Sequence, residues 1–501
     1  MKKITIDPVT RLEGHGKIEI FLDKKGNAEN VFLQIPELRG FEKFCQGRLA
    51  EEMPWITSRI CGVCPVAHHL ASTKALDMAF NADPPPAAKK LRELMYSAYF
   101  IYDHILHFFY LGGPDFIVGP EAPAEERNIL GVIKKAGLDI AKEVIKHRAF
   151  GQRMTEIIGG KATHPVCGLP GGVSKPLSSA ERKEIEQKAR SCVKFAQFTL
   201  GIFNDIVLKN TKYLALIKSD AFTLPTYYMG TVDKNNKLNL YDGRIRVVDP
   251  DGKEFAKFKP ADYLDIIEER GEEWTYVKMA YLKKVGWKGY RAGKDSGVYR
   301  VGPLARLNAS DGMATPLAQK AHDEMYKALG GKPVHSTLAF HWARLIELLY
   351  ASERTLELSQ DTEITGKKIR NMPNKPGEGI GIVEAARGTL IHHYKLTKDG
   401  LIEKINLIVA TTNNSAAINI SIQDAAKELI KNGKVSDGLL NMVEMAFRAY
   451  DPCMACATHL HNGEFALEVN IYDREKKLIK KMTNFKKDGG MIIYSKKGHR
   501  H

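Results

Sequence analysis

The sequence predicts an α+β fold, mainly α-helical, that opens on β structure and carries a β-rich insertion in mid-chain. Three observations predict it. Apolar residues recur at spacings of three and four through long stretches nearly free of Gly and Pro, the period of a helix that buries one face. The N-terminus instead alternates apolar and polar residues with period two. A middle region breaks into short strand-like runs separated by Asp-Gly turns.

Within residues 1–35, the alternation Lys17, Ile18, Glu19, Ile20, Phe21 around the turn Asp23-Lys24-Lys25-Gly26-Asn27 predicts a β-hairpin. Residues 86–111, 131–158 and 178–217 follow as long, largely buried helices, giving a helical core over 86–222. Residues 224–305 form the insertion, where Asp242-Gly243 and Asp251-Gly252 separate runs such as Arg244–Val248 and Glu254–Phe258. Helical patterning returns over 314–330 and 338–358, and Gly-rich loop and strand signals run from 377 to 422. A last helix over 436–449, capped by Ser436 or Asp437 and stopped by Pro452, delivers the chain into DPCMACATH. Residues 314–459 thus form a helical and loop region closing a site. The remaining 460–501, with 10 Lys plus Arg, 5 Asp plus Glu and no Cys, read as a hairpin with a basic end.

A chain of 501 residues exceeds the roughly 250 to 300 that one core organises, so subdomains are expected. Apolar residues at 44% and charged residues at 27% exclude a disordered, collagen-like or disulfide-scaffold protein. The net charge of +15 is spread among residues of both signs, with no zinc-finger or RNA-binding signature to concentrate it. It points to a Lys-rich solvated surface or an acidic partner subunit, not to nucleic acid. Seven cysteines, an odd number, suit a reducing compartment. With no apolar leader segment and no uninterrupted apolar stretch of about 18 residues, neither a signal peptide nor a membrane span is expected. Export on a partner's signal stays open. No G-x-G-x-x-G follows a strand, so no nucleotide site is expected.

Four cysteines form two CxxC pairs, Cys61 with Cys64 in RICGVCPVAHH and Cys453 with Cys456 in DPCMACATH. Such a spacing turns two thiolates toward one point, and sulfur selects zinc, copper, nickel or iron over magnesium or calcium. His68 follows the first pair and His459 the second, while Arg59 and Asp451 precede them. A four-cysteine zinc site is the ordinary use of paired CxxC motifs, but zinc ribbons close loops of about 12 to 20 residues. Here 391 residues lie between Cys61 and Cys453. That separation points to a catalytic metal where two subdomains meet. A redox disulfide would need a βαβ setting that neither segment shows.

The motifs ITIDPVTRLEGHGKIEI, RICGVCPVAHHLAS, DHILHFFYLGGPD, HPVCGLPGGVSK, GPLARLN, EAARGTLIHHY and DPCMACATH occur in order along nearly the whole chain. Together they resemble the large, catalytic subunit of nickel-iron hydrogenases. The RICGVCP and DPCxxCxTH forms are most similar to its soluble, cytoplasmic branch, of viologen-reducing, heterodisulfide-reductase-linked or NAD-linked type. The resemblance implies the large-subunit fold and reversible heterolytic cleavage of dihydrogen at a nickel-iron centre whose iron carries carbon monoxide and cyanide. By the same resemblance all four cysteines ligate nickel, Cys64 and Cys456 bridge to iron, and Cys453 takes the proton, which Glu13 in RLEGH relays onward. Arg387 in EAARGTL would lie over the open site, held by Asp103 and Asp451, and Thr411 would donate to a cyanide. Ala386 and Ala410 stand where the family commonly has prolines, which puts the shape of the iron-ligand pocket in question.

Glu42 and His459, with the carbonyl of Leu407, match ligands of a second, structural metal, commonly magnesium. His68 is expected to orient ligands rather than bind metal, and His104 and His107 either join a proton network or pack. The implied partners are an iron-sulfur small subunit, further electron-transfer subunits of flavin, ferredoxin or heterodisulfide-reductase type, and a maturation endopeptidase that cuts between His459 and Leu460. A retained surface element remains the alternative for the tail. For the whole chain the alternatives are a complex I-like quinone-site relative, which would have lost the four cysteines, and a binding module with structural zinc.

Overall fold

A computed structural model describes residues 2–458, 467–473, 475, 477–484 and 491–494. The chain opens on an antiparallel sheet of β1 (Lys2–Ile6), β2 (Lys17–Leu22) and β3 (Ala28–Gln34), one strand more than the expected hairpin. The Asp23 carboxylate closes the β2–β3 turn by accepting from the backbone N–H groups of Lys25 and Asn27, both at 2.8 Å. After α1 (Phe41–Cys45) and α2 (Met53–Ser58) comes α3 (Pro65–Ala79), which begins directly after Cys64. Pro65 occupies the first helical position, where a missing N–H costs nothing. Nearly all of α3 is buried, so it carries no amphipathic period; only the turn from Cys64 to His68 marks it in the sequence.

The helical core holds more breaks than its periodicity suggests. Helix α4 (Pro86–Leu106) widens into a π turn over His107–Gly112, and α5 (Pro114–Ile117) follows. The stretch expected as one helix over 131–158 is two, α6 (Ile129–Ala136) and α7 (Leu138–Gly159), because the left-handed Gly137, φ 93°, separates them. After the short strands β4 (Gly168–Leu169) and β5 (Gly172–Val173), α8 (Ser179–Phe203) starts on a capping box of Ser178 and Glu181. The run over 178–217 also divides: Asn210 caps a separate α9 (Thr211–Ile217).

In the insertion, β6 (Tyr227–Val232), β7 (Arg244–Val248) and β8 (Glu254–Phe258) pair antiparallel. Past α10 (Tyr263–Ile266), β9 (Ile267–Glu272) and β10 (Thr275–Leu282) make a hairpin, and β11 (Tyr299–Arg300) joins β6 in parallel. Helices α11 (Pro303–Ala309), α12 (Pro316–Leu329) and α13 (Phe340–Gln360) lead to an antiparallel sheet of β12 (Glu378–Ala385), β13 (Gly388–Leu396) and β14 (Ile402–Ile408). Tyr227, Met229, Val247 and Phe258 of the insertion share a core with Ile380, Ile382, Ile391 and Ile408 of that sheet. The two sheets therefore brace each other.

Helix α14 (Ala410–Leu429) corrects the expectation of loop and strand up to residue 422. Its Thr, Asn and Ile residues are weak helix formers, but the helix is buried almost all round and packing outweighs propensity. Its polar groups are satisfied by neighbours: Asn419 accepts from Leu33 N–H at 3.0 Å, Asn414 from Val301 N–H at 2.9 Å, and Asn413 donates to Thr389 O at 2.8 Å. Helix α15 (Asp437–Arg448), capped by Ser436, and the short α16 (Met454–Ala457) complete the site-bearing part. Beyond it, β15 (Leu467–Tyr472), β16 (Leu478–Asn484) and β17 (Met491–Tyr494) form a three-stranded meander where a hairpin was expected; its basic end lies outside the described residues.

Helix α3 lies against the backbone of β12. A Cβ on Gly381 would fall 2.0 Å from the Ala71 carbonyl oxygen, and one on Gly379 equally close to that of Ala75. This contact positions the Cys64 end of α3. Gly381→Val is expected to cost at least about 3 kcal/mol, because neither backbone can yield, and denaturant unfolding measures it.

Candidate metal centre

The four motif cysteines converge. Their Sγ atoms all lie within 4.8 Å of one another, and each residue is at most 4% exposed. Across the two pairs the separations are 3.4 Å for Cys61 and Cys453 and 3.6 Å for Cys64 and Cys456; Cys453 and Cys456 approach to 2.7 Å. Among the described residues no other group of three or more potential metal ligands gathers in this way. Cys45, Cys167 and Cys192 are buried elsewhere and form no disulfide.

Local structure sets each sulfur. The loop after α2 wraps around Cys61, whose Sγ accepts from the N–H groups of Val63 and Cys64, both at 3.2 Å. Between α15 and the second pair, Asp451 adopts a left-handed backbone, φ 58°, which together with Pro452 turns the chain sharply. Cys453 N–H then donates to Thr411 Oγ1 at 3.0 Å. Arg39 ties the two loops together, donating to Ile60 O at 2.6 Å and Ala455 O at 3.0 Å. Nothing in the sequence singles out Arg39.

Glu13 reaches this centre through the backbone as well as its side chain. Its segment forms a parallel bridge with Cys453, and its carbonyl accepts from Met454 N–H at 2.9 Å. Glycine is required next to it, since a Cβ on Gly14 (φ 82°) would lie 2.8 Å from Ala455 N. The carboxylate Oε2 then accepts from Cys453 Sγ–H at 2.8 Å and from Ala455 N–H at 3.2 Å. Burial lifts the Glu13 carboxyl above its ordinary range, and the Cys61 charge adds to the effect.

Arg387 occupies the two-residue turn between β12 and β13, directly after Ala386. Its Nη1 meets Asp103 at 3.2 Å and its Nη2 meets Asp451 at 3.0 Å, all three side chains being fully or almost fully buried. Burial opposes the arginine's charge, but the two carboxylates outweigh it and hold the guanidinium well above its usual range. Its Nε has no hydrogen-bond partner among the described residues. Arg344, also buried, stands behind this group and donates to Ala449 O at 3.1 Å. His104 joins Glu347 at 3.1 Å, and His107 meets Arg448 O at 3.0 Å, so both histidines are anchored in the polar interior.

The N-terminal motif and the last helix are locked together by Asp115. Its carboxylate takes Arg11 at 2.5 Å, Arg448 at 3.0 Å and Asn441 at 3.1 Å, while Glu444 takes Arg448 at 2.6 Å and Thr10 at 2.9 Å. Glu42, on α1, accepts from Leu407 N–H at 2.8 Å, and its other oxygen has no partner among the described residues. Leu407 lies on the edge strand β14. The N–H and C=O of one strand residue point to the same side, so the Leu407 carbonyl faces the Glu42 side too. Burial pushes Glu42 up to about 7 against the Lys278 charge and the Leu407 hydrogen bond. His459 lies outside the described residues.

The donor set fits a thiophilic metal. Burial opposes a charge on Cys61, but hydrogen bonds from Cys453, Cys456 and Cys64 override it and hold this thiol far below its usual range. Burial raises Cys453 and Cys456 well above that range. The protein alone thus supports one thiolate among four sulfurs; four thiolates can share this space only around a cation. Fold and site together define a metalloprotein with a buried four-sulfur centre, flanked by a hydrogen-bonded carboxylate and an arginine.

The comparisons agree with that class. The family model described as nickel-dependent hydrogenase matches residues 39–127 and 142–459, and one described as HoxL-like matches residues 3–38. The chain is 50% identical over 487 residues to an F420-non-reducing hydrogenase iron-sulfur subunit of Archaeoglobus profundus, covering 97% of this chain and 100% of that one. It is 37% identical to "NAD-reducing hydrogenase HoxS subunit beta" of Cupriavidus necator over 95% and 99% of the two chains. A solved NAD+-reducing [NiFe]-hydrogenase in the H2-reduced state superposes with a TM-score of 0.87 at 38% identity, covering 92% of this chain and 100% of the other. The protein therefore belongs to the nickel-dependent hydrogenase family, as a large subunit.

Arg387→Met would leave Asp103 and Asp451 buried without their shared cation. A loss of about 3 to 5 kcal/mol in denaturant unfolding is expected, and a change under about 1 kcal/mol would show that the triad contributes little.

Proposed function

We propose that the protein catalyses reversible heterolytic cleavage of dihydrogen to protons and electrons, with Cys61, Cys64, Cys453 and Cys456 holding a nickel-iron pair whose iron carries carbon monoxide and cyanide. The observation that carries this reading is the convergence of four buried sulfurs, one of them hydrogen-bonded to Glu13 at 2.8 Å. When bound, the metal pair supplies Lewis-acid polarisation of dihydrogen and takes up its electrons. Cys61 and Cys453 are the terminal sulfurs on nickel, Cys64 and Cys456 the bridging ones.

Cys453 accepts the proton and passes it to Glu13 Oε2, which lies within direct transfer range. Desolvation keeps the Glu13 carboxyl ready to hold a proton, and Gly14 keeps the segment close enough to receive it. Arg387, fixed from both sides by Asp103 and Asp451, presents a rigid cation beside the centre, and Thr411 supplies a hydroxyl next to Cys453. Glu42, the Leu407 carbonyl and His459 hold a structural divalent cation, magnesium; the unpartnered Glu42 oxygen supports this assignment.

Electrons leave to an iron-sulfur small subunit, then to flavin, ferredoxin or heterodisulfide-reductase-type subunits. In support, the relatives are named as subunits of larger hydrogenases, NAD-reducing in one case. Residues 460–501 are a maturation segment cut after His459 by a dedicated endopeptidase. Both the end of the family match at residue 459 and the 92% coverage by a complete solved chain support that boundary. A cytoplasmic site of action is consistent with the absence, among the described residues, of any helix long and apolar enough to cross a membrane.

Metal analysis and infrared spectroscopy of the purified complex test the proposal. Nickel, iron and carbonyl and cyanide stretches are expected, and zinc alone would refute it. Glu13→Gln should lower hydrogen-dependent dye reduction by about 10²-fold or more at unchanged nickel content; full activity would remove Glu13 from the proton route. Intact mass of the active protein should end at His459, and Leu460 onward in active enzyme would overturn the maturation reading.

A further inference from the structure

A second set of titratable groups lies beside the centre and takes no part in the route through Glu13. His68, four residues after Cys64 on α3, is fully buried, and its Nδ1 lies 3.1 Å from His392 Nε2. His392 Nδ1 lies 2.6 Å from Tyr394 Oη, and Tyr394 donates its hydroxyl proton to Ser72 Oγ at 2.9 Å. All four side chains are buried. The circuit is a consequence of matched spacings: four helical residues rise about 6 Å and two strand residues about 6.6 Å. His68 and Ser72 on α3 therefore stand opposite His392 and Tyr394 on β13. The glycines of β12 let the helix and sheet approach closely enough for these side chains to meet.

The directions of these bonds can be followed from one end. The Tyr394 proton is committed to Ser72, so toward His392 the phenol oxygen can only accept, and His392 Nδ1 must carry hydrogen. Its Nε2 then accepts, and the hydrogen of His68 sits on Nδ1. His68 Nε2 is left as a bare lone pair, and that atom has no partner among the described residues. The principal charge acting on this ring is that of Cys61.

We propose that His392, Tyr394 and Ser72 are positioning residues that hold His68 in the Nδ1–H tautomer, so that it offers the metal centre a hydrogen-bond acceptor and not a donor. This rests on the nickel-iron reading of the centre. The constraint has an electronic consequence. An N–H turned onto a ligating sulfur would withdraw electron density from the metals, whereas a lone pair leaves the sulfurs fully donating and favours a protonated thiol beside it.

Tyr394→Phe tests the idea in the intact complex, because it keeps the ring and removes only the hydroxyl that orients His392. Both tautomers of the His68–His392 pair then become available, and His68 can turn an N–H toward the centre. The expected result is an iron-carbonyl stretch that moves to higher frequency or splits into two bands. Ser72→Thr, which keeps the acceptor, should leave the band in place. A Tyr394→Phe complex that melts at lower temperature but keeps the wild-type band would assign the chain a structural role only and overturn the proposal. Absence of carbonyl bands from the wild-type complex would remove the nickel-iron reading and this inference with it.

Discussion

Four sulfurs within 4.8 Å of one another are the constraint on which the rest of the structure depends. As thiols they are crowded, and as thiolates they repel without a cation between them. The protein nevertheless brings them together from two loops that are distant in sequence. Arg39 bonds both loops, Thr411 holds the Cys453 backbone, and the Asp115 network locks the Glu13 segment to the helix that leads into the second pair. Much of the interior polarity is explained by this task. Backbone and side-chain groups that would be costly to bury alone are used to fix loop geometry around a charge that the metal provides.

The second theme is rigidity obtained through small residues. Gly379 and Gly381 allow α3 to lie on bare sheet backbone, Gly14 allows the Glu13 strand to lie on the second cysteine loop, and Gly388 ends the two-residue turn that aims Arg387. At each place a side chain is absent so that two backbones can touch. The functional groups beside these contacts inherit little freedom, as a centre sensitive to sub-ångström changes in ligand position requires.

The sequence revealed the site better than the fold. CxxC spacing, the separation between the pairs and the order of motifs point to the four cysteines, to Glu13 and to Arg387 with its acidic partners, and the structure brings those residues together. Period-three-and-four patterning located the long helices but not their interruptions, because Gly137 and Asn210 divide runs whose apolar period continues across them. Helix α14 escaped altogether: its Thr, Asn and Ile residues imitate loop and strand, and only the surrounding sheets and helices make a helix of them. Arg39, Asp115 and the His392–Tyr394 pair were invisible for a related reason. Their partners are remote in sequence, and a lone Arg, Asp or His carries no local pattern.

The wide sequence separation of the two cysteine pairs also imposes an order in time. Cys61 and Cys453 are 392 positions apart, so at about 5 to 20 residues per second the ribosome needs roughly 20 to 80 s to pass from one to the other. During that interval the first two thiols exist without their partners, on a nascent chain whose site cannot yet form. Oxidation or capture by a stray metal is possible throughout that wait, and ends only when the second loop arrives to close around them.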